Sequence, residues 1–149
     1  MYTFNLGDLT LYTASVEVLD LKSLIGRLRS NDEERSFFQP LRRGSIATPR
    51  HGFYIAYKSR KLRGKRIKRA SVIAMLLSSG VTQIAKAYTK LSTEGKAQAV
   101  GVYLEKLEMP PYVRIIDDRP REEEIMRLHG SAEEKELIEK AVIASLELY

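Results

Sequence analysis

Hydrophobic and polar positions alternate through the first twenty residues. Tyr2-Thr-Phe-Asn5 and Leu9-Thr-Leu-Tyr-Thr13 each read as a strand, with Gly7-Asp8 as the turn between them. Ser15-Val-Glu-Val-Leu19 keeps the period and adds a further strand segment. The spacing then changes: Leu21, Leu24, Ile25 and Leu28 fall on one helical face behind Asp20, an N-cap residue, so a short helix is expected through Arg29. Asn31-Asp-Glu-Glu34 is a solvated turn. Ser36-Phe-Phe-Gln39 is a strand expected to close at Pro40.

Helical spacing dominates the middle. Thr48-Pro49 starts a helix, with threonine as N-cap and proline where a missing N–H does no harm. It should run to about Leu62, where Gly64 stops it. A second helix is expected from Ile67 to Ser79, ended by Gly80 in a left-handed conformation. Thr82 suits the cap of a third, Gln83 to Leu91, with Ile84, Ala87, Tyr88 and Leu91 on one face. Ala97 to Leu104 returns to strand, and Pro110-Pro111 breaks the chain before an edge strand, Tyr112 to Ile116. Pro120 and Glu122 to Glu124 mark the acid-rich first turn of a helix ending at Gly130. Ser131-Ala-Glu-Glu134 has capping-box spacing and opens a last helix running close to Tyr149. The expectation is one α+β domain over residues 1–149: a small mixed β-sheet packed with several helices, including a long C-terminal one.

The last helix carries two apolar stripes. Leu137, Ala141, Ala144 and Leu148 form one; Ile138, Val142, Leu146 and Tyr149 form a second, roughly a third of a turn away. A helix packed on one core needs one such face. Either this helix lies between two core layers, or the outer stripe docks a partner.

Composition adds compartment and charge. Cysteine is absent from the 149 residues, which removes disulfides and thiolate sites and makes a cytoplasmic location the expectation. The N-terminus shows no basic leader before an apolar run, and the longest apolar run, Val72 to Leu77, is too short to span a bilayer. Tryptophan is missing while Lys, Arg and Glu are plentiful, a balance found in thermophiles. The net charge of +6 is unevenly laid out: residues 36–93 carry 13 basic and no acidic side chains, and residues 94–149 carry 8 basic and 13 acidic. From Lys58 to Arg69, eight of twelve residues are basic. Such a run repels itself unless a polyanion or the acidic C-terminal segment relieves it, and nucleic acid is the commonest polyanion of a cytosol.

Signatures of chemistry are missing. Gly95-Lys96 lacks the rest of a phosphate-binding loop, and no GxGxxG, HExxH or GxSxG is present. His51 and His129 are the only histidines, and surface or helix-end roles account for them. Asp117-Asp118 stands just before a helix, where carboxylates complement the dipole. No catalytic residue, metal or cofactor, and no small-molecule substrate, is therefore expected.

An ordered series through the centre and end resembles the PRPK-binding protein (TPRKB) family, the small regulatory subunit of the KEOPS tRNA-modification complex. The series is Gln39; Ile46-Ala-Thr48 leading into a helix with His51 and Ala56, then a basic turn; Ile67 and Ser71 before an apolar run into Leu77-Ser-Ser-Gly80; Gln83-Ile84 and Ala87; the Ala97–Leu104 strand; and a capped helix ending in Ile143 and Leu146-Glu-Leu148. It covers about two thirds of the chain. The resemblance implies a non-catalytic subunit that binds the PRPK-type kinase subunit and helps recruit tRNA through its 3′ CCA end for threonylcarbamoyladenosine modification. On that reading Lys65, Arg66, Lys68, Arg69 and Lys86 track phosphates, while Ser78, Ser79, Gly80 and Gln83 receive the unpaired 3′ end. Ile138, Val142, Leu146 and Tyr149 dock the kinase subunit. The sequence departs from many relatives at Leu77 and Thr82, where they carry basic residues. The rival readings are a stand-alone basic RNA- or DNA-binding domain and a small enzyme acting on an anionic substrate.

Overall fold

Alternating burial along the strands sorts side chains onto two faces of one sheet. The computed structural model describes residues 1–30, 36–80, 95–107 and 109–148. Among these, the chain runs β1 (Tyr2–Leu6), β2 (Leu9–Val18), α1 (Leu21–Ser30), β3 (Phe37–Arg42), α2 (Pro49–Leu62), α3 (Ala70–Ser79), β4 (Gly95–Tyr103), β5 (Val113–Ile116), α4 (Glu122–His129) and α5 (Glu134–Leu146). The architecture is α+β, as the pattern predicts, with the strand order β1-β2-β4-β3. β5 also pairs with β2, and the described pairings are antiparallel. β1 covers Leu9–Thr13 and β5 covers Ser15–Val18, so the two lie end to end along one edge of β2.

One face of the sheet holds Leu11, Phe37, Leu41, Val100 and Val102 against α2, α3 and α5, through Ile55, Leu62, Ile73, Leu76, Leu77, Ala141 and Ala144. The other face holds Tyr12, Ala14, Val16, Val18, Phe38, Ala97 and Ala99, covered by Leu24 of α1 and by Leu107, Met109 and Val113. This two-residue period is why β2 and β4 contain small and branched residues on both faces. Ile25 and Leu28, expected beside Leu24, lie outside the described side chains.

Several elements differ from expectation for local reasons. The two predicted pieces of the second strand are one, because nothing interrupts the alternation at Ala14. Pro40 lies inside β3 instead of ending it: β3 stands at the edge of the strand order, where a residue without an N–H is tolerated. α3 begins at Ala70, since Ile67 O accepts the Gly64 N–H at 2.9 Å and residues 65–69 are spent on the turn. Ser131 does not cap α5; its hydroxyl accepts from Glu133 N–H at 3.2 Å, and the helix starts at Glu134. Elsewhere the caps are as read: Asp20 accepts from Ser23 N–H at 3.0 Å, Thr48 accepts from His51 N–H at 3.2 Å, and Gly80 and Gly130 end their helices in the left-handed region. The predicted helix Gln83 to Leu91 lies outside the described residues.

Gln98 fixes where α2 begins. Its buried amide accepts from Gly44 N–H at 2.9 Å and Ile46 N–H at 3.0 Å, and donates to Ile46 O at 2.9 Å. The loop before α2 is thereby sewn to β4 through the backbone N–H groups of Gly44 and Ile46 and the Ile46 carbonyl. No helix among the described residues is long and apolar enough to cross a membrane.

Candidate nucleic-acid and partner interfaces

The carboxylate-free centre of the sequence becomes the end of α2, the turn after it, and α3. Gly64 sits at φ 86°, and Lys65 N–H donates to Leu62 O at 3.1 Å, closing the turn tightly. Ile67 packs on the core, which drives Lys65, Arg66 and Lys68 outward, all exposed, with Arg69 half-buried. Lys61, exposed on the last turn of α2, holds its ammonium 5.8 Å from the centre of the Tyr57 ring. Among the described residues Lys61, Lys65, Arg66 and Lys68 form no ion pair.

Three carboxylates of the acidic C-terminal segment pair away from this turn. Arg43 Nε meets Asp118 at 2.7 Å and its other nitrogens reach Glu124 and a second Asp118 oxygen at 3.2 Å. Arg50 faces Glu134 at 3.4 Å. Arg43 also holds the Glu124 carboxyl below its usual range. Asp118 is thus an ion-pair partner tying α4's approach to the end of β3, and α4's own first turn is closed by Arg121 and Glu124. These pairs engage Arg43 and Arg50, while Lys61, Lys65, Arg66 and Lys68 are exposed.

The Ser78-Ser79-Gly80 turn lies at the opposite end of α3 from this basic turn. Ten helical residues separate them by about 15 Å along the axis. Ser78 Oγ donates to Ala74 O at 2.5 Å and Ser79 Oγ to Leu76 O at 3.0 Å, and both side chains are buried. What the turn presents outward is Gly80, at φ 71°, with the Lys140 side chain lying across it. Gln83 and Lys86 lie outside the described residues.

α5 resolves its two stripes by burial. Leu137, Ala141, Ala144 and Leu148 are buried, packed toward α2 and α3. Ile138 is half-buried, while Val142 and Leu146 are exposed, Leu146 at 65%. Tyr149 lies outside the described residues. Ile143, 63% exposed, joins them although neither stripe included it. Its signal was present: at about 100° per residue Ile143 falls beside Leu146 and nearly opposite the Leu137–Ala141 face. The exposed aliphatic patch is therefore Val142, Ile143 and Leu146, centred on the side of α5 that points away from the core.

The histidines serve the fold. His51 is buried, and its Nδ1 accepts the Ala47 N–H at 3.1 Å, which places the proton on Nε2. His129 donates from Nε2 to Ser45 O at 2.9 Å, and the two rings meet edge to face at 6.4 Å. Burial, with His129 and Lys140 adding positive potential, lowers the His51 pKa to about 3. Among the described residues no group of three or more His, Asp or Glu is placed to hold a metal. A cleft of about 510 Å³ opens between the start of α2, Thr13–Ser15 of β2 and residues 116–120, with both histidines outside its lining. Two bonds join groups of its lining: Ser15 Oγ donates to Asp118 O, and Arg119 donates to the Tyr2 hydroxyl. In comparison with known proteins, no family model matches this chain and no curated protein matches it.

Proposed function

We propose that this chain is a non-catalytic regulatory subunit of a KEOPS-type complex, which binds the PRPK-type kinase subunit and helps recruit tRNA by its 3′ CCA end. The observation that supports it is a pair of separate surfaces on one fold. Exposed cations without ion pairs among the described residues occupy the turn between α2 and α3, and large aliphatic side chains on α5 face away from the core. The first suits phosphates, which give affinity without base reading. The second suits a dry protein contact, since a cluster of large aliphatics on one helix face gains most when covered. The ordered sequence series described above supplies the identity of the two partners.

The test is a titration of tRNA with the isolated protein, using intact tRNA and the same tRNA trimmed of its CCA. Tighter binding of the intact form, weakening steeply with salt, is expected. Equal binding of the two would replace this reading with that of a stand-alone basic RNA- or DNA-binding domain. Absence of binding to both would remove nucleic acid from the account.

A further inference from the structure

The Gly80 end of α3 carries no cation of its own. No basic residue lies in the last turn of the helix, and Leu77 is buried. A helix C-terminus also carries a partial negative charge, so an RNA phosphate arriving there is repelled unless a cation stands close by. The basic turn of residues 63–69 is too distant to supply it, at about 15 Å along α3. The last helix brings one instead. A methyl group built on Gly80 would run into Cγ, Cδ and Cε of Lys140, so the methylene chain of Lys140 lies directly over the Gly80 α-carbon.

The course of this side chain is informative. Glu136 stands four residues before Lys140, the spacing and order that favour a Glu–Lys pair on a helix. Yet Lys140 forms no ion pair or hydrogen bond among the described residues. Its charge is left over the turn and is felt by buried His51. Half-buried, with its stem fixed on Gly80 and its head uncompensated, it is a cation already positioned, which reduces the ordering cost of meeting an anion.

We propose that Lys140 is the phosphate-binding cation of the Gly80 turn, contacting a phosphodiester of the single-stranded RNA end while the basic turn holds the strand further along. This rests on the RNA reading given above. The left-handed glycine is then required twice: for its φ of 71°, and because any side chain there would push Lys140 off the turn. The competing role is structural, with Lys140 merely complementing the dipole of α3.

Lys140→Met keeps the methylene stem over Gly80 and removes the charge; Lys140→Arg keeps the charge. Binding of intact tRNA is measured by fluorescence anisotropy across a salt series, with thermal melting of each variant alongside. The expected result is that Lys140→Met weakens binding and flattens the log–log salt dependence by about 0.7, the share of one single-strand phosphate. Lys140→Arg should restore the wild-type slope, and on CCA-trimmed tRNA wild type and Lys140→Met should bind alike. A folded Lys140→Met with the wild-type slope and affinity on intact tRNA overturns the assignment while leaving the RNA reading intact. A lowered melting temperature with an unchanged slope assigns the residue to the helix dipole and also overturns it. If Lys140→Met does not fold, Lys140→Gln takes its place under the same criteria. Wild-type protein that fails to bind tRNA removes both the RNA reading and this inference.

Discussion

A methyl group on Gly101 would meet Phe37 O and the ring and hydroxyl of Tyr12, which faces Gly101 across the β2–β4 ladder. Tyr12 uses the vacated space to donate its buried hydroxyl to Phe37 O at 3.1 Å, joining β2 to the edge strand β3. Gly101→Ala must displace the Phe37 carbonyl of the neighbouring strand and the buried Tyr12 ring together, and neither is the free end of a flexible side chain. It should therefore destabilise by about 2–3 kcal/mol, read as a lower urea midpoint at unchanged m-value; a loss well below 1 kcal/mol would show that the strands can give. His51 sets a pH dependence. Its folded pKa, about 3, lies below the ordinary value of 6.5, so the proton is bound preferentially by the unfolded chain. The stability this contributes is full above pH 6.5 and is lost as pH falls toward 3, at up to about 1.4 kcal/mol per pH unit. His51→Asn, whose side-chain oxygen can accept from Ala47 N–H, should flatten the stability profile over that window; an unchanged profile would assign the acid sensitivity to other groups. The helix-start threonine and left-handed glycines were legible in the sequence because their roles are local. The space under Tyr12 and the triple bonding of Gln98 were not, since each depends on a residue brought from another strand or loop.

Helix α5 shows both what periodicity reveals and where it stops. Its spacing separated Leu137, Ala141, Ala144 and Leu148 from Ile138, Val142 and Leu146, and the structure buries the first set. Periodicity did not say that the exposed patch is centred closer to Ile143, because that depends on where α2 and α3 lie. Leu146→Glu and Ile143→Glu should leave the isolated protein folded, with stability within about 0.5 kcal/mol of wild type, since a charge there stays in water. Ala141→Glu, on the buried side, should unfold it or cost at least about 3 kcal/mol through an unpaired buried charge. Circular dichroism melts of the three variants check this; unfolding by Leu146→Glu would show that the patch is core. The capping box at Ser131 misled for a physical reason: its hydroxyl satisfies Glu133 two residues on, a turn that competes with the cap.

At the scale of the whole molecule, the uneven charge of the sequence survives folding as two regions. C-terminal carboxylates pair with Arg43 and Arg50, and exposed Lys61, Lys65, Arg66 and Lys68 form no ion pair among the described residues. The class of fold was legible because strand and helix periods are local. The strand order was not, since β2 meets β4 across some eighty residues of chain, and the ends of α3 read as neighbours in sequence while the helix holds them about 15 Å apart. On the proposed function, the α5 surface meets the kinase subunit and the α2–α3 turn meets RNA. That function is tested most directly by mixing the purified chain with the PRPK-type kinase subunit of the same organism and measuring the mass of the eluting species by light scattering. A stable heterodimer is expected with wild-type protein and separate monomers with the folded Leu146→Glu variant, because an unpaired carboxylate buried in a dry contact costs about a few kcal/mol. Separate monomers with the wild-type chain, or a heterodimer undisturbed by Leu146→Glu, would contradict it.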